Sequence, residues 1–294
     1  MPELPDITVY VERLAAKAVG EELRTINLQS PFLLRTVEPP IHDAFGRRLQ
    51  RVMRLGKRVV LMLDDDLCLV IHLMVAGRLR WRAASQKVPK TNLLATFGFS
   101  SGTLLLTEAS KKKRASLHVL QCLDGLDAHS RGGLEVMDAT RPEFEAALRA
   151  ENHTVKRALT DPRILSGIGN AYSDEILWHA ELSPFKQTQS LSDEECARLY
   201  TSVQAVLDNY TAVIRREVGD GFPDKVTAFR DDMAVHGRFK EPCPRCAAPV
   251  QRIVYADNEA NYCARCQTGG KLLADRSLSR LLKANWPRNL DELD

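Results

Sequence analysis

Arg58-Val59-Val60-Leu61-Met62-Leu63-Asp64-Asp65-Asp66-Leu67-Cys68-Leu69-Val70-Ile71-His72-Leu73 places two short aliphatic runs on either side of three aspartates. Short runs rich in aliphatic residues and bounded by turn formers read as strands. The series continues through Leu93 to Phe97, Leu104-Leu105-Leu106 and Leu117 to Leu120, with a further turn signal at Ser101-Gly102. Regularly spaced short strands predict an antiparallel sandwich or barrel for the first third of the chain. Ile7 to Val19 is the exception: its apolar positions 7, 9, 11, 14, 15 and 18 fit one face of a helix.

After Arg131-Gly132-Gly133 the pattern turns helical. Pro142 sits where a helix tolerates proline, in the first turn, and Ser192-Asp193-Glu194-Glu195 is a capping box ahead of a helix reaching about Glu217. A chain of 294 residues is long enough for a substantial core and about two domains. Hydrophobic content of 44% and charged content of 27% exclude a disordered or fibrous protein. There is no internal repeat and no low-complexity tract.

Glu3, Asp6, Glu12, Arg13 and Lys17 break any apolar core of a secretory signal, so a cytoplasmic location is expected. The best apolar stretch, Leu67 to Ala76, is interrupted by His72 and too short to span a membrane. Net charge is only +3, but residues 236–287 carry nine Lys and Arg against four Asp and Glu, a local +5. Such a patch suits a phosphate-binding surface, and equally a solvated face.

Cys243-Pro-Arg-Cys246 and Cys263-Ala-Arg-Cys266 are separated by sixteen residues. Two close thiol pairs joined by such a loop can bring four thiolates to one tetrahedral zinc ion. Disulfides are the competing reading, disfavoured in a reducing compartment. Four protein ligands leave no open position, so one structural zinc is expected, holding a hairpin too small for its own core. Cys68, Cys122 and Cys196 read as ordinary thiols.

Three segments then occur in one order: Pro2-Glu3-Leu4-Pro5-Asp6, Ser166-Gly-Ile-Gly-Asn-Ala-Tyr-Ser-Asp-Glu-Ile-Leu177, and the four-cysteine motif, with Lys57 between the first two. Together they resemble the formamidopyrimidine-DNA glycosylase and endonuclease VIII family of bifunctional glycosylases and AP lyases. The likeness spans nearly the whole chain. It implies an α+β multidomain protein: an N-terminal β-sandwich with a helix over 1–133, a helical helix-two-turn-helix domain over 134–235, a zinc finger over 236–287 and a tail over 288–294. The implied partner is damaged double-stranded DNA, and the expected state is a monomer.

By that resemblance Pro2, freed by removal of Met1, is the nucleophile. An α-amine has a pKa near 8, so part of it is unprotonated at neutral pH. Attack on C1′ of the sugar would expel the damaged base and leave an iminium, from which β-elimination and then δ-elimination can follow. Glu3 matches the general acid at the ring oxygen, and Lys57 a proton donor near the lesion or sugar. Gly167 and Gly169 let a backbone approach a phosphate, with Asn170 and Lys156 as DNA contacts.

Two departures from the family pattern stand out. The nucleotide must be flipped out of the stack and the gap filled. Val75 occupies the position of the family's wedge methionine, with Met74 beside it, and Glu108-Ala-Ser-Lys-Lys-Lys-Arg114 replaces the segment carrying the wedge arginine and phenylalanine. Lys112 and Arg114 in that segment are expected to contact phosphates. Asn258 stands where the zinc hairpin of the family carries an arginine, which keeps a phosphate hydrogen bond but brings no charge and leaves δ-elimination open. The alternative to an active enzyme is a DNA- or lesion-binding protein of the same fold with weak or lost catalysis. Gly219 to Lys225 reads either as a lid over the flipped base or as a plain connection.

Overall fold

Helix α1 (Leu4–Ala18) leads into eight strands: β1 (Glu22–Leu28), β2 (Arg47–Leu55), β3 (Arg58–Leu63), β4 (Leu67–His72), β5 (Gly77–Ala83), β6 (Leu93–Phe99), β7 (Gly102–Glu108) and β8 (Ser116–Gln121). They form one antiparallel sheet in the order β5-β7-β6-β1-β2-β3-β4-β8. β1 and β2 share only two registered pairs, Glu22↔Arg48 and Leu23↔Arg47. The sheet therefore breaks into two four-stranded halves, and both contribute to one core. Leu61, Leu69, Ile71 and Leu117 from one half join Leu79, Phe97, Leu104 and Leu106 from the other, with Ile7, Tyr10 and Leu14 of α1. Each such side chain stabilises the fold by roughly 1.5–3 kcal/mol on burial, which is why the two halves pack as the expected sandwich. The structure, a computed structural model, describes residues 1–255, 258–274 and 287–292.

The other face of β3, β4 and β8 carries Val60, Cys68 and Val70, covered by helix α2 (Cys122–His129). Here the reading of Cys68 and Cys122 as ordinary thiols is corrected. They form a disulfide with a Cα–Cα distance of 5.2 Å across 54 residues of sequence. The register explains it: Cys68 pairs with Leu120, so Cys122 lies two residues further along the neighbouring strand line.

The chain divides into two compact units, residues 1–131 with 209–227, and residues 132–208 with 228–294. The second contains β9 (Leu134–Glu135), α3 (Arg141–Arg149), α4 (Val155–Thr160), β10 (Leu165–Ser166), α5 (Asn170–His179), the start of α6 (Asp193–Val218), β11 (Gln251–Tyr255), β12 (Asn258–Tyr262) and α7 (Ala264–Thr268). Thr140 and Glu143 cap α3 reciprocally, and α6 opens with Ser192 and Glu195 bonded to each other's backbone N–H at 2.9 and 3.2 Å. Residues 209–227 belong to the first unit. Arg215 pairs with Glu12, Arg13 Nε donates to Gly221 O at 3.2 Å, and Arg78 Nε donates to Val226 O at 2.6 Å. Phe222 packs between Tyr10 and Trp81, with ring centroids 5.7 and 6.5 Å away. The segment read as lid or connection is thus docked on the sandwich through Gly221 and Phe222, with Val226 anchored just beyond its end. Among the described residues no helix is long and apolar enough to cross a membrane.

Candidate functional site

In the first unit the start of α1 gathers the residues read as catalytic. Pro2 is buried, and Glu3, 2% exposed, is the N-cap of α1. Glu3 and Asp6 form a capping box, in which the Glu3 N–H donates to Asp6 Oδ2 at 2.8 Å. Satisfying orphan donors at a helix start in this way fixes the Glu3 backbone, and so fixes the angle at which the N-terminal nitrogen leaves the helix. Lys57 occupies the β2–β3 turn, where Gly56 adopts φ +60°, a left-handed conformation that glycine enters without penalty.

Charge ties these groups together. With Met1 in place the amine at this point is that of Met1, and loss of Met1 would make the Pro2 nitrogen a free secondary amine. Burial lowers the Met1 amine's pKa; Glu3 and Asp6 oppose this, while Arg78 and Lys57 add to it. Burial also lowers the pKa of the Lys57 ammonium, with Glu3 pulling the other way. Burial raises Asp6 to about 7. His72 is held at about 4 by burial and by the cations Arg58 and Lys57. The cluster can therefore present an uncharged amine next to an acid and a lysine with a weakened hold on its proton. Asp6 and Arg78 were not singled out in the sequence. Asp6 entered the sequence reading only as a charge against a secretory signal and as the last residue of the Pro2 to Asp6 segment.

The basic run after β7 is organised by one buried acid. Glu108, 1% exposed, accepts the N–H groups of Arg114 at 3.0 Å and Ala115 at 3.1 Å, and Lys113 Nζ donates to its carbonyl. The loop closes on this carboxylate and leaves Lys112 and Arg114 exposed. The β4–β5 turn places Met74 at φ +53° and leaves Val75 58% exposed.

The second unit holds Lys156 and Asn170. Gly167, at φ +87°, turns the chain into α5, whose first residue is Asn170. Lys156 Nζ donates to Asn170 O at 2.9 Å and pairs with the buried Asp174 at 2.5 Å. Asp174 also accepts from His236 Nδ1 at 2.7 Å, and Glu175 accepts three backbone N–H groups, from Ala234, Val235 and His236. A buried carboxylate of this kind is tolerated because it is paired on both oxygens. Lys156 thus neutralises Asp174, a role its sequence position did not reveal. Asn170 Nδ2 donates to Glu259 O at 2.7 Å and ties α5 to β12. The side chain of Asn258 lies outside the described residues, as do Asp257, Asp275, Arg276, Arg280 and Lys283 of the basic stretch.

Cys243, Cys246, Cys263 and Cys266 bring their sulfurs within 4.8 Å of one another. Four Zn–S bonds of about 2.3 Å in a tetrahedron require sulfurs about 3.8 Å apart. The separations of 3.9 Å for Cys243 and Cys266 and 3.4 Å for Cys246 and Cys263 fit that demand. All-thiolate donors in a closed set are the chemistry of structural zinc, and the four residues would hold one ion between the 243–246 turn ahead of β11 and the start of α7.

A four-thiolate site packed with a helical unit defines a zinc-finger protein. Residues 1–115 match the formamidopyrimidine-DNA glycosylase N-terminal domain, residues 135–218 the formamidopyrimidine-DNA glycosylase H2TH domain, and residues 240–269 the zinc finger found in FPG and IleRS. Formamidopyrimidine-DNA glycosylase of Heliobacterium modesticaldum is 32% identical over 277 residues, covering 91% of this chain and all of the relative. The crystal structure of MutM (Fpg) from Thermus thermophilus is similar at 30% identity and a TM-score of 0.77, over 90% of this chain and 98% of that one. A structure of MutM in complex with carbocyclic 8-oxo-G containing DNA gives a TM-score of 0.80 at 25% identity, over 91% of this chain and all of that one. The chain belongs to the formamidopyrimidine-DNA glycosylase family, and its four cysteines are the site of one structural zinc ion.

Proposed function

We propose that this protein is a bifunctional base-excision enzyme, a DNA glycosylase and AP lyase that removes oxidised or ring-opened bases from double-stranded DNA. The observation that carries the reading is the start of α1, where Pro2 and Glu3 are buried at the helix N-terminus in the same unit as Lys57 on the β2–β3 turn. With Met1 removed, the Pro2 nitrogen attacks C1′ of the damaged nucleotide and the C1′–base bond breaks. Glu3, as a carboxylic acid, gives its proton to the ring oxygen, the C1′–O4′ bond opens, and an iminium joins Pro2 to the sugar. Loss of a C2′ proton then expels the 3′ phosphate in β-elimination, and δ-elimination of the 5′ phosphate can follow. Lys57 supplies a proton near the sugar or the leaving base. The four cysteines would hold zinc as a brace for the 243–266 module, with no part in these steps.

DNA as partner is supported by the likeness to MutM, whose structure contains 8-oxo-G DNA. Exposed Lys112 and Arg114, together with Asn170, Lys156 and Asn258, are assigned to the phosphate-binding surface. The protein works in the cytoplasm as a monomer. Borohydride reduction in the presence of a duplex containing an abasic site tests the mechanism: a covalent adduct is expected in the wild type and a large loss of it in Pro2→Gly. No adduct, or an unchanged yield in Pro2→Gly, refutes the assignment. Tight binding to that duplex without an adduct would favour a lesion-binding protein of the same fold.

A further inference from the structure

Trp178 stands on the last turn of α5 and packs against the small core formed by Val235, Cys243, Ala248, Val250 and Cys263. Its indole Nε1–H points at Cys243 Sγ, 3.3 Å away. Tryptophan is a donor only, and a thiolate bound to zinc keeps lone pairs able to accept, so the contact is a hydrogen bond from the helix to a metal ligand. The opposite contact of the ring is equally specific. Arg245, between the first two cysteines, lays its guanidinium 4.4 Å from the Trp178 ring centroid. The same guanidinium donates to Glu181 Oε1 at 2.9 Å and to Trp178 O at 3.3 Å. The second pair of cysteines is tied to the same region: Gln267 accepts from the Cys263 N–H at 2.8 Å and donates to Leu182 O at 2.9 Å.

We propose that Trp178 is a positioning residue of the zinc centre: its N–H bond to Cys243 fixes the metal site to the C-terminal end of α5, while the Arg245–Glu181 pair packs on the ring. The N-terminal end of the same helix is already joined to the hairpin through Asn170 and Glu259. Helix α5 is therefore held by the zinc module at both ends, and the orientation of its first turn depends on the metal site remaining intact. A packing residue alone would need the aromatic ring and not its N–H.

Trp178→Phe keeps the ring and the stack while removing the donor, and Arg245→Ala keeps the donor while removing the stack. Zinc transfer from full-length protein to a chromogenic chelator is expected to be about ten-fold faster in Trp178→Phe, at the lower end of what loss of an outer-sphere partner costs. In the cobalt-substituted protein the thiolate-to-metal charge-transfer band should shift in Trp178→Phe and stay at the wild-type position in Arg245→Ala. Unchanged transfer rate and band in Trp178→Phe would overturn the proposal. An equal band shift in both variants would also overturn it, because it would assign the effect to packing.

Discussion

Asp6→Asn offers a direct measure of the strain built into the start of α1. The Asp6 carboxyl is 5% exposed and accepts the Glu3 N–H, which an asparagine carbonyl oxygen can equally engage. Burial raises its pKa from 3.8 to about 7. The folded state therefore holds this proton over a range where the unfolded chain has released it. Stability from the group is full below about pH 4 and is lost as pH rises through about 7. At 1.36 kcal/mol per pKa unit the loss is about 4 kcal/mol, an upper bound since buried groups relax when they ionise. Asparagine mimics the protonated acid at every pH. Urea unfolding of wild type and Asp6→Asn between pH 4 and 8.5 should give curves that coincide at the acid end, with the variant gaining by about 2–4 kcal/mol at the alkaline end. A difference that is constant with pH, or that grows toward acid, would refute the argument.

Lys57→Ala should leave the fold intact, because the side chain lies on a turn, yet slow base release by about 100-fold or more, measured in single-turnover assays on a lesion-containing duplex. Reduction of the Cys68–Cys122 disulfide, or its replacement by two alanines, should lower the stability of the sandwich unit by about 2–4 kcal/mol, read from the denaturant midpoint, since it closes a long loop. An unchanged midpoint on adding reductant would remove that role.

Strands with continuous aliphatic runs were legible in the sequence, β3, β4, β6, β7 and β8 among them. β1, β2 and β5 were not. β2 reads Arg-Arg-Leu-Gln-Arg-Val-Met-Arg-Leu and buries only Leu49 and Val52, so its strand state comes from pairing with β3 rather than from its composition. The capping box at Ser192 was readable because a cap is local chemistry, and the one at Thr140 is equally local but was signalled only by Pro142. The link between Asp174, Lys156 and His236 was not, because its members lie far apart in sequence and each alone resembles a solvated charge. Cys68 and Cys122 failed to announce their bond for the same reason.

The sequence by itself determined the zinc ligands and the early helix, since each depends on residue type and spacing within a short stretch. Only the tertiary structure decided what surrounds them. Burial at the start of α1 turns Asp6 into a weak acid and loosens the proton on Lys57, and long-range packing commits Lys156 to Asp174 and points Trp178 at a zinc ligand. The physical reason is that ligand identity is a local property, whereas desolvation and charge pairing depend on which distant segments the fold brings into contact.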